Sequence, residues 1–101
     1  RMTAAHFMTD PQAMRDMARK FDMHAQNVRD ESHKMFMSSM DIAGAGWSGT
    51  AQLTSHDTMG QINQAFRHIV TLLQDVRDQL GTAADRYEHQ EENSRKILSG
   101  S

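Results

Sequence analysis

Six histidines, His6, His24, His33, His56, His68 and His89, are the side chains of this 101-residue chain best suited to hold a metal. A helical metal pair needs two ligands at i, i+3 or i+4, so that both point from one face. No two of the six have that spacing: His24 and His33 are nine apart, His56 and His68 twelve. They read as solvated surface histidines, and no metal is expected. Ser48, in Gly46-Trp47-Ser48-Gly49, looks superficially like a nucleophile turn. The run is one residue short of the G-x-S-x-G elbow, and no strand precedes it. The carboxylates are scattered over polar faces, whereas a catalytic pair needs a concave pocket that slender helices do not offer. The absence of cysteine excludes disulfides, thiolate ligands and thiol catalysis. No catalytic residue and no cofactor is expected, and the chain reads as a binding protein rather than an enzyme.

The elements that carry these residues are helices. Thr9 and Asp10 are good cap types, and Pro11, the only proline, suits a first helical turn, where its missing N–H costs nothing. From there apolar or small residues recur in steps of three and four: Met14, Met17, Phe21, Ala25, Val28, Ser32, Met35, Ser39 and Ile42. The run Ala43-Gly44-Ala45-Gly46-Trp47-Ser48-Gly49 then holds three glycines and predicts a turn. A second series follows: Thr58, Ile62, Ala65 or Phe66, Ile69, Leu72 or Leu73, Val76, Leu80, Ala83 and Tyr87. The expected fold is all-α, a single antiparallel helix-turn-helix hairpin over residues 1–101. Helix 1 spans about 10–43, the turn 44–49, helix 2 about 50–92, and a flexible tail 93–101.

Such a hairpin carries more apolar surface than two helices can hide. Helix 1 adds Met23, Phe36, Met37 and Met40 beside its seam, and helix 2 sets Leu72 next to Leu73. Pairing with a second hairpin into a four-helix bundle would cover the surplus. The interface is expected to use Met14, Met17, Phe21, Val28, Met35, Ile62, Phe66, Ile69, Leu73, Val76 and Leu80. Nine methionines suit packing of this kind, because the side chain is flexible and polarizable. Trp47 either caps the end of the bundle or anchors a partner. Charge is nearly balanced, 11 Lys+Arg against 13 Asp+Glu, without the basic face that nucleic acid needs. No stretch approaches the ~18 apolar residues of a membrane span. No apolar core of signal-peptide length stands in Arg1–His6, so any export is expected to proceed without a cleaved leader.

Trp47-Ser48-Gly49, a W-x-G in the middle of a chain of this length, resembles the WXG100 family, the Esx (ESAT-like) proteins of type VII secretion in mycobacteria and related bacteria. Tyr87-Glu88-His89-Gln90-Glu91 is similar to the Y-x-x-x-[D/E] signal of type VII substrates, and its i, i+4 spacing sets Tyr87 and Glu91 on one helix face. Phe7 to Pro11, Ala13 to Ala18 and Gly44 to Gly49 look like one mycobacterial subgroup of near-identical paralogues. The resemblance implies a 1:1 heterodimer with a second WXG hairpin, commonly the product of the adjacent gene. It also implies export of the folded pair to the cell surface or medium, with Tyr87 and Glu91 read by the secretion ATPase. The plainer alternative makes Tyr87 a terminal core residue and Glu91 a surface charge.

Two rival functions use the same hairpin. One is a homodimeric cytosolic adaptor or chaperone. The other is a membrane-active effector, disfavoured because Ser32, Ser39 and charges of both signs interrupt and flank the seams, unlike the basic face of an interfacial helix.

Overall fold

The structure, a computed structural model, describes residues 3–46 and 49–100, with side-chain surroundings for 3–41 and 56–100. Three helices cover nearly all of them: α1 (Ala4–Phe7), α2 (Pro11–Gly46) and α3 (Gly49–Leu98). Together α2 and α3 make an all-α helical hairpin, and there is no strand among the described residues.

Local chemistry accounts for the helix ends. Asp10 caps α2: its Oδ1 accepts from the backbone N–H of Ala13 at 3.0 Å, and its carbonyl accepts from Met14 at 3.0 Å. Pro11 then stands at the first helical position, where no donor is needed. The single turn α1 was not anticipated; its signal is Thr3, whose hydroxyl accepts from the backbone of His6 at 3.2 Å. Gly44 and Gly46 belong to α2 and Gly49 opens α3, so these glycines are helical rather than a loop. A glycine inside a helix costs about 1 kcal/mol, which neighbouring turns can absorb. Trp47 and Ser48, the centre of the expected turn, lie outside the described residues. At its other end α3 runs to Leu98, through the segment expected as a flexible tail. No breaker occurs there until Gly100, whose φ of 77° ends the helix. Arg95 and Lys96 in the last turn suit the negative end of its dipole.

The chain divides into two compact units. The first joins Arg1–Asp22 to Gln74–Ser101. Met14 and Ala84 are fully buried in it, with Met17, Ala18, Phe21, Leu80, Ala83 and Tyr87 half-buried around them. The second unit is Met23–Leu73, built on buried Ala25 and Val70 with half-buried Val28, Phe36, Met59, Phe66 and Leu73. Ser32 and Ser39 interrupt the α2 seam without leaving a hydroxyl unpaired. Their Oγ atoms donate to the carbonyls of Arg29 (3.0 Å) and Phe36 (2.7 Å) one turn back.

The inward face of α3 differs from the sequence-based series. In the second unit it consists of Met59, Asn63, Phe66, Val70 and Leu73; in the first, of Arg77, Leu80, Ala84 and Tyr87. Two seams with the same three–four spacing lie side by side on this helix. Counting apolar residue types favours the series through Ile62, Ile69 and Val76, because the inward series contains Asn63 and Arg77. Packing selects the other. A similar shift occurs in α2, where Phe36 is half-buried and Met35 is exposed.

Candidate partner interface

The displaced series leaves an apolar stripe in solvent. In the second unit Ile62, Ile69 and Leu72 are 37%, 41% and 50% exposed, and Ala65 fills the step between Ile62 and Ile69. The steps of three and four between them place all four on one flank of α3. On α2 the same unit exposes Met23, Met35, Met37 and Met40. Among the described residues of the first unit the exposed large apolar ones are Met8, Val76, Ile97 and Leu98. Isolated exposed apolar residues are ordinary on protein surfaces, whereas a periodic row marks a face prepared for another surface.

The residues expected at the interface therefore divide in three. Ile62, Ile69, Val76 and Met35 are exposed. Phe21, Val28, Phe66, Leu73 and Leu80 are half-buried by their own chain, as is Met17. Met14 is fully enclosed within the first unit. The first turns of α2 lie against α3 there, where Arg15 pairs with Asp85 and Glu88.

Ion pairs join the helices of the first unit. Arg15 binds Asp85, Nη2 to Oδ1 at 2.7 Å, and also pairs with Glu88. Arg77 donates to Asp22 at 2.5 Å and to Asp78 at 2.9 Å. Hydrogen bonds to Asp85 and then Glu88 raise the Arg15 pKa, and those to Asp78 and then Asp22 raise that of Arg77. Both cations stay charged throughout the physiological range. These pairs were not foreseen; the one available signal was a charged residue, Arg77, amid seam-spaced apolar ones.

Tyr87 and Glu91 lie one turn apart on α3. Tyr87 is half-buried, Glu91 is exposed, and Glu88 between them is held by Arg15. All six histidines are exposed, and no group of three or more His, Cys, Asp or Glu converges among the described residues. No helix among the described residues is long and apolar enough to cross a membrane.

Known proteins are similar to this chain in sequence. The chain is 62% identical over 96 residues to the ESAT-6-like protein EsxM of Mycobacterium marinum, a match that covers 95% of this chain and 98% of that relative. The family model for WXG100, proteins of 100 residues with WXG, matches residues 6–92. That span takes in almost all of α2 and α3 with the W-x-G between them, and the chain belongs to the WXG100 family.

Proposed function

We propose that this chain is one half of a secreted WXG heterodimer, exported by a type VII system as a folded pair, and acts by binding rather than catalysis. The observation that carries the pairing is the exposed row Ile62, Ile69 and Leu72 on α3. Burying an aliphatic side chain completely yields about 1.5–3 kcal/mol, so covering what these three leave exposed yields roughly half of that each. Association costs several kcal/mol in lost freedom. A partner must therefore cover neighbouring apolar residues as well, and the methionines of α2 are adjacent in type and adaptable in shape. In this reading the chain is a single hairpin domain, and the partner is a second WXG hairpin, most simply the adjacent gene product. Tyr87 and Glu91 form the surface read by the secretion ATPase, and the destination is the cell surface or medium. Membership of the family and likeness to an ESAT-6-like protein support this reading.

The test is co-expression with the neighbouring WXG gene product, followed by sizing and by assay of both proteins in the medium. Wild type should elute as a 1:1 pair and be exported. Ile69→Asp with Leu72→Asp should lose the pair, since an unpaired carboxylate in an apolar contact costs several kcal/mol. A stable homodimer indifferent to the neighbour would favour the adaptor function instead.

A further inference from the structure

The second unit carries another surface, on a different flank of α3 from the row Ile62, Ile69 and Leu72. A depression between the two helices is lined by Arg29, Ser32, His33, Phe36 and Met37 of α2 and by Asn63 and Arg67 of α3. Its character is mixed. Phe36 is half-buried and Met37 is 47% exposed, so its lining includes accessible apolar surface. Arg29, His33 and Arg67 are exposed around it, and no carboxylate lines it.

Arg15, Arg19 and Arg77 each engage a carboxylate, whereas Arg29 and Arg67, like Arg86 and Arg95, take part in none of the ion pairs among the described residues; of these four only Arg29 and Arg67 line the depression. A guanidinium offers five N–H donors in a planar fork matched to a carboxylate. Two guanidiniums without an ion-pair partner, lining one partly apolar depression from two helices, make a site for an anion attached to an apolar group.

We infer that this depression is a docking site for an acidic amphipathic protein helix, distinct from the surface used for hairpin pairing. Its glutamates would meet Arg29 and Arg67, while its apolar side chains would cover Phe36 and Met37. Charge complementarity selects an acidic occupant, and the apolar lining selects a protein segment over a phosphodiester chain. The inference goes beyond the pairing reading and does not depend on it.

The probe is a fluorescein-labelled amphipathic peptide with glutamates along one side and leucines at i, i+3 and i+4 along the other. It is titrated into the full-length chain and followed by anisotropy. Saturable binding that weakens as salt rises is expected. Arg29→Glu with Arg67→Glu should weaken it by about tenfold or more, with helix content by circular dichroism unchanged. Met37→Gln should weaken it several-fold at unchanged salt dependence, and Ile69→Ser with Leu72→Ser should leave it within about twofold. Absence of saturable binding overturns the inference, as does equal binding by a peptide with serines in place of leucines. Tighter binding of single-stranded DNA or of phosphatidylglycerol vesicles would likewise overturn it, as would loss of the peptide on changing Ile69 and Leu72.

Discussion

Arg77 of α3 donates from Nη1 to Oδ1 of Asp22 on α2 at 2.5 Å, from the inward-facing step just before Leu80 and Ala84. An apolar residue at that step would pack in many registers. Asp78, next to Arg77 on α3, stays in reach in any register, whereas Asp22 on α2 is in reach in only one, so the Asp22–Arg77 pair specifies how α2 and α3 align within the first unit. Partial exposure of both groups means that water screens the attraction, and alignment matters here more than stability.

Reversal of the pair tests that role. Asp22→Arg should lower the melting temperature by placing like charges together. The swap Asp22→Arg with Arg77→Asp should recover most of the loss, read by circular dichroism melts at low salt. Additive effects, with no recovery in the swap, would remove the pair from register selection.

Met14 and Ile69 should respond oppositely to truncation. Met14→Ala leaves a cavity in a fully buried site and should cost about 2–5 kcal/mol in urea unfolding of the chain alone. Ile69→Ala removes a side chain already 41% exposed and should cost the isolated chain under about 1 kcal/mol, while weakening the paired state. Equal costs in the isolated chain would contradict the separation of internal and external seams.

Gly60 and Gly81 lie within α3, and a Cβ added at either meets nothing within 4 Å. Gly60→Ala and Gly81→Ala should each stabilise the chain by about 0.5–1 kcal/mol, because alanine loses less backbone entropy on becoming helical. Thermal melts of the two variants check this. A destabilised Gly81→Ala would mean that another surface needs the bare backbone there.

Export should separate Glu91 from the fold. Glu91 is exposed, and no ion pair among the described residues includes it. Glu91→Ala should leave unfolding unchanged within about 0.5 kcal/mol and leave the pair intact, yet stop secretion of both partners. Tyr87→Ala should do the same to export and also lose stability, since its ring is half-buried. Normal secretion of the Glu91 variant would take that residue out of the signal.

Much of the architecture was legible in the sequence because helix formation is local. Asp10 and Pro11 mark a helix start by their own chemistry, and the three–four spacing of apolar residues can be read from one chain. Trp47-Ser48-Gly49 and the Tyr87–Glu91 spacing carry the family resemblance in the same way. Which of two parallel seams on α3 turns inward was not legible. Residue types favoured Ile62, Ile69 and Val76, but burial falls on Val70, Leu73 and Leu80, with Asn63 and Arg77 in their row. The choice depends on partners distant in sequence: Asp22 lies 55 residues from Arg77, and Asp85 lies 70 from Arg15. Periodicity specifies that a helix has an apolar face; only packing against another helix decides which of two such faces is spent inside the chain and which is left for a partner.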